Sequence, residues 1–265
     1  MRRMQLFEWE DQPWLPQVFR DFITDQLRFT HTEPMRRPVN LAIARMIGDL
    51  LAKTGRSQVI DLCAGAGGPI TEISGVLCDD LRVPAHIVLT DLYPNVAAFR
   101  AIERESNGRI SARLEGTDAT DVPASLPGVR TIFTALHHFP PPLATRVLAD
   151  AVRKREPIAV FEPLERTARM AFLVGLMSLI RGFTHALRVG HVTAARVVFT
   201  YLLPLAPFVF AWDGTVSALR TYTADELLAM ATSVTAEGYE WTAGRFDIDG
   251  PYGPMPTTYL LGRPM

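Results

Sequence analysis

The chain has 265 residues, 48% of them hydrophobic and 21% charged, and carries a formal net charge of −1. That is enough apolar material for one large domain, or two small ones, with a buried core. It excludes a disordered chain, a collagen-like repeat and, without a basic excess, a general nucleic-acid binder.

Residues 1–38 place Trp9, Trp14, Phe19, Phe22 and Phe29 among charges, and Arg2, Arg3, Glu8, Glu10 and Asp11 break any signal-peptide core. This segment reads as a helical lid over a site, or as a flap that completes the core. From residue 39 onward, short β-branched runs alternate with helical spacing. Val59–Leu62, Ala85–Thr90, Ile110–Leu114, Val129–Leu136 and Ile158–Phe161 read as strands, and Pro69–Leu77, Pro94–Ser106 and Leu143–Arg153 as helices. The alternation predicts α/β architecture: parallel βαβ units with helices on both faces of one doubly wound sheet.

The pattern breaks at about 164–220, an apolar insertion with arginines at 166, 169, 181, 188, 196 and 220 against Glu165 and Asp213. Its charge-free stretch, Val197–Trp212, is interrupted by Pro204 and Pro207, falls short of a bilayer span and reads as buried or interfacial. Thr223 and Glu226 then form a capping-box pattern ahead of Leu227–Val234. The chain finishes with candidate strands Tyr239–Ile248 and Thr257–Leu261 around the turn Gly250-Pro251-Tyr252-Gly253-Pro254; with no helix between them they must run antiparallel.

The site-forming stretch is Val59-Ile60-Asp61-Leu62-Cys63-Ala64-Gly65-Ala66-Gly67-Gly68-Pro69, a strand, a small-residue turn and a helix. Such a turn lets backbone approach a ligand at the carboxyl end of a strand. The dinucleotide fingerprint fails, because Ile70 stands where its third glycine or alanine belongs. Asp91 ends the second strand, where a carboxylate can accept both ribose hydroxyls or serve as a turn residue. Asp118, after the third strand, can accept an adenine amine or close a turn.

At these residues the chain resembles the class I S-adenosylmethionine (SAM)-dependent methyltransferases. The resemblance implies a Rossmann-like, seven-stranded sheet with an antiparallel last strand, in agreement with the terminal hairpin. It implies Asp61 near the methionine amino group, Gly65 and Gly67 beneath the cofactor, Asp91 and Leu92 at the ribose, Asp118 and Ala119 at the adenine, and Cys63, Ala64 and Thr134 lining the same groove. Cys63 departs from the family pattern, which places glycine there. The expected activity is methyl transfer to a small hydrophobic metabolite, with oxygen the favoured acceptor atom. The alternatives are a nicotinamide-dependent oxidoreductase and a non-catalytic cofactor-binding or assembly protein on the same fold.

His137 and His138 follow the fourth strand, and either is a competent base at neutral pH. His138 is preferred because Pro140 restrains the chain beside it. Glu162, ending the fifth strand, is a second acceptor-side candidate, or a solvated carboxylate. Trp14 and Phe22 from the lid and Met177 and Trp212 from the insertion are the expected substrate contacts. The insertion reads equally as a helical core, a homodimer interface or a peripheral membrane contact. No metal is expected, since His31, His86, His185 and His191 lack ligand spacing. Nucleic acid is not expected as a partner, for no Asn/Asp-Pro-Pro-Tyr/Phe element follows the fourth strand. Cys63 and Cys78 are too few for a disulfide scaffold and suit reduced thiols in a cytoplasmic protein.

Overall fold

The computed structural model describes residues 1–250 and 253–265; Pro251 and Tyr252 of the expected terminal turn lie outside the described residues. By compactness the chain divides into two units, one of Met1–Glu33 with Leu164–Tyr222, the other of Pro34–Pro163 with Thr223–Met265. The N-terminal residues therefore group with the insertion, and the boundary falls at Glu33 rather than after residue 38.

The larger unit holds a seven-stranded sheet in the order β3-β2-β1-β4-β5-β7-β6. Its strands are β1 (Gln58–Leu62), β2 (His86–Leu89), β3 (Ile110–Ala112), β4 (Val129–Phe133), β5 (Ile158–Glu162), β6 (Tyr239–Gly250) and β7 (Gly253–Pro264). β1 to β5 pair in parallel, and β7 runs antiparallel to both β5 and β6. Every residue of β4 and β5 is buried, as expected of central strands covered on both faces. The chain order reverses between β1 and β4, and the crevice outside their carboxyl ends is where open α/β sheets bind ligands.

The covering helices depart from expectation in detail. α2 (Arg37–Thr54) precedes β1, and α3 (Ile70–Gly75) continues into a π-helical turn through Asp80. α4 (Val96–Glu105) is capped by Asn95, whose side chain accepts the Ala98 N–H at 3.1 Å, so Pro94 lies outside the helix it was expected to open. α5 (Pro141–Lys154) begins at a proline, whose missing N–H costs nothing in a first turn. The fourth strand stops at Phe133, and Leu136–His138 forms a single 3-10 turn instead of extended chain.

In the smaller unit, α1 (Gln17–Thr32) packs Phe19, Phe22 and Ile23 against Ala206 and Phe210 of the insertion. The insertion is helical, with α6 (Ala168–Thr184), α7 (Ala194–Val197) and α8 (Leu205–Arg220). α6 and α8 run antiparallel at close range: a Cβ on Gly182 would lie 2.9 Å from Pro207, and one on Gly214 would lie 2.8 Å from the Ser178 hydroxyl. The N-terminal arm is tied to α8 by charge. Asp213 accepts the Trp9 and Glu10 N–H groups at 2.7 and 3.0 Å, while Arg220 donates to Leu6 O at 2.6 Å and pairs with Asp11 at 2.7 Å. Burial pushes the Asp213 carboxyl up to about 7. In the larger unit, α9 (Ala224–Ser233) opens with the expected Thr223–Glu226 capping box. Among the described residues no single helix is long and apolar enough to cross a membrane.

Candidate functional site

The glycine turn is shaped by backbone conformation. After β1 the chain enters the left-handed region at Cys63 (φ 56°) and again at Gly65 (φ 54°) and Gly67 (φ 94°). The Ala64 N–H donates to Thr90 O at 3.0 Å, and the Gly67 N–H donates back to Ala64 O at 2.7 Å. A side chain on Gly67 would run into Ile102 of α4, whereas nothing lies within 4 Å of a Cβ on Gly65. Gly67 thus permits helix packing, and Gly65 leaves its face open to a ligand. Cys63 holds a conformation that costs an L-residue about 1–2 kcal/mol, part of which glycine returns as chain entropy on unfolding. Cys63→Gly is therefore expected to stabilise the fold by about 0.5–1 kcal/mol, read as a raised urea midpoint at unchanged m-value.

Around this turn the structure gathers three carboxylates. Asp61 is buried on β1, and its Oδ1 accepts the Thr131 hydroxyl at 2.7 Å from the partner position on β4. Burial pushes its carboxyl up to about 8, against the lowering by Thr131 and with a further push from Asp91. Asp91 turns back onto the glycine turn: its Oδ2 accepts the Gly65 N–H and its Oδ1 the Tyr93 N–H, both at 2.9 Å. Asp118 closes a local turn through Oδ1, accepting the Thr120 N–H and hydroxyl at 2.7 and 2.8 Å. Burial raises the Cys63 thiol above its ordinary range, and the Asp91, Asp61 and Asp118 carboxyls raise it further. The Thr117 N–H donates to Asp91 O at 2.8 Å, which ties the loops after β2 and β3 together. Ala64 and Ala119 are buried beside these loops and Leu92 is exposed.

At the carboxyl ends of β4 and β5 the two histidines differ. The His137 backbone N–H and ring Nδ1 both reach the Glu162 carboxylate, at 3.1 and 2.8 Å, and the two side chains are 1% and 0% exposed. The solvated reading of Glu162 is overturned, because the 3-10 turn after β4 folds His137 over it. His138 is half-buried, its ring tilted against that of His137 at a centroid distance of 4.4 Å. The geometry thus gives His137 the buried Glu162 carboxylate as its partner.

Thr134 is held at φ 52°, a left-handed conformation rare for a β-branched residue, and its hydroxyl is buried without a partner among the described residues. The supporting threonines escaped the sequence reading. Thr131 and Thr90, the latter donating to Asp61 O at 2.9 Å, are ordinary strand residues until pairing sets them beside Asp61.

The four expected substrate contacts all lie in the smaller unit. Phe22 is buried in that unit's core against Phe210, so its ring faces protein rather than a ligand. Trp212 is partly exposed but donates its ring N–H to Phe7 O at 3.0 Å; Trp14 and Met177 are exposed.

No protein-family model matches the chain, and no curated protein matches it. Solved structures do. The plantazolicin methyltransferase BpumL, solved with a triazolic desmethyl-plantazolicin analogue and SAH, superposes with TM-score 0.54 at 14% identity over 97% of this chain and 93% of that one. The chain has the methyltransferase fold. PigF, solved with SAH, gives TM-score 0.51 at 16% identity over 96% of this chain. The pyocyanin biosynthetic protein PhzM gives 0.48 at 16% over 86%. This chain spans 63% of the PigF chain and 56% of the PhzM chain.

Proposed function

We propose that the chain binds SAM and transfers its methyl group to a small hydrophobic metabolite, at oxygen. The observation that carries this reading is the open glycine turn after β1, whose Gly65 N–H is held by Asp91 and which follows directly on the buried Asp61. These residues fit the cofactor: Gly65 leaves space, Asp61 is a buried carboxyl suited to an ammonium group, Asp91 offers two oxygens to a diol, and the Thr134 hydroxyl is buried with no partner among the described residues. A bound SAM would supply an electrophilic methyl carbon, from which an acceptor oxygen attacking in line displaces SAH as the C–S bond breaks.

The chain's own residues supply alignment and proton transfer. Alignment in favourable intramolecular models contributes about 7–11 kcal/mol. Glu162 engages Nδ1 of His137, which directs the ring's basicity to Nε2, the atom that takes the proton of an acceptor hydroxyl. The buried Glu162 carboxylate then stabilises the imidazolium, so Glu162 acts as a positioning residue and His137 as the base.

Calorimetric titration with SAH and with NAD tests the cofactor, and turnover on a panel of phenols, polyketides and fatty acids tests the acceptor. SAH binding with methylated product is expected. Binding of NAD alone would make the chain an oxidoreductase, and SAH binding with no turnover on any acceptor would make it a cofactor-binding protein.

The reading also sets a pH dependence. Asp61 holds its proton up to about pH 8 in the folded chain, against about 4 when unfolded. Its contribution to stability is complete below about pH 4 and is lost as pH rises toward 8. An ammonium group prefers the ionised carboxylate, so SAH affinity is expected to rise several-fold per pH unit between 6 and 8. Asp61→Asn should flatten both trends in thermal melts and in titrations.

A further inference from the structure

We propose that the insertion docks the protein on the surface of an anionic lipid bilayer. Phe172, Leu176 and Ile180 stand exposed along α6, and Leu202, Leu203 and Phe208 are exposed around the elbow between the π-helical turn (198–202) and α8. Phe172 and Leu202 are 66% and 71% exposed, far more than a core-facing residue tolerates. At about 100° per residue from the seam that Gly175, Ser178 and Gly182 make with α8, Phe172 and Leu176 lie on the same side of the helical pair as Phe208 and Trp212. Phe172, Leu176, Phe208 and Trp212 thus share one apolar side of the helical pair. Monomers rarely expose such a face beyond a few hundred Å², roughly, unless something covers it. Ala194–Leu202 and Leu205–Arg220 are together apolar enough for a bilayer but bent by 76°, which suits lying in an interface.

Charge selects the occupant. Within Leu164–Tyr222, Arg181, Arg196 and Arg220 are engaged by Glu33, Asp25 and Asp11, and Arg166 by main-chain carbonyls. Arg169 and Arg188, near opposite ends of α6, are exposed with no carboxylate at ion-pair distance among the described residues. In the same segment Asp213 is buried and Glu165 is half-buried, so neither acid is exposed. A two-fold contact between copies would turn this patch on itself and find no exposed acid from the insertion to meet its arginines. Anionic headgroups would meet them while the apolar side chains enter the acyl boundary.

Co-sedimentation of the full chain with phosphatidylglycerol vesicles and with phosphatidylcholine vesicles tests the proposal, alongside a dilution series by analytical ultracentrifugation. At least tenfold more protein should pellet with phosphatidylglycerol, and raising the salt should weaken binding. Leu202→Ser/Leu203→Ser and Arg169→Gln/Arg188→Gln should each lower binding several-fold at unchanged melting temperature. Equal or absent binding to the two vesicle types would overturn the proposal, as would binding indifferent to both double variants. A concentration-dependent dimer abolished by Leu202→Ser/Leu203→Ser would overturn it in favour of a self-interface.

Discussion

His137→Ala is expected to lower turnover by about 10²–10⁴-fold, the usual contribution of a positioned base, while SAH affinity stays within about twofold of the parent. The expectation rests on the buried His137–Glu162 contact, which orients the ring as well as supplying it. Glu162→Gln keeps the shape and removes the charge. Without that anion the ring loses the partner that orients it, so kcat should fall by more than any change in KM, with the melting temperature close to the parent's. A purely structural role would lower the melting temperature and leave kcat of the folded protein in place. Retention of more than about a third of parental turnover in folded His137→Ala would end the assignment of the base, and the same losses in His138→Ala would return that role to its neighbour.

Asp91→Ala is expected to weaken SAH binding by about 100-fold. Two charge-assisted hydrogen bonds to a diol, at about 1.5 kcal/mol each, account for that factor. The same carboxylate accepts the Gly65 and Tyr93 N–H groups, so its removal should also cost about 1–2 kcal/mol of stability. Asp91→Asn separates the two effects, since its amide oxygen can still accept one of these bonds while the charge is gone. Calorimetry reads the affinity and urea unfolding the stability. Unchanged SAH affinity in either folded variant would remove Asp91 from the site.

Local chemistry accounts for what was legible in advance. Short β-branched apolar runs marked the strands, the absence of a helix between the last two required an antiparallel pair, and the small-residue turn after β1 announced close backbone approach. The Thr223–Glu226 box marked a helix start because both hydrogen bonds lie within one turn. Asp118 shows the limit of such reasoning: its turn-closing bonds are local, but its influence on Cys63 exists only after β1 and β3 share a sheet.

By itself, then, the amino-acid order determined an α/β sheet with a terminal hairpin, a glycine turn at its switch point and the carboxylates that follow successive strands. These depend on contacts a few residues apart, which spacing reveals. Tertiary structure alone decided that Glu162 is buried and holds His137, that Phe22 packs in a core, and that the N-terminal arm belongs with the insertion through Asp213 and Arg220. Each of these joins residues far apart in the chain, and a side chain's burial and protonation depend on which distant groups exclude water from it.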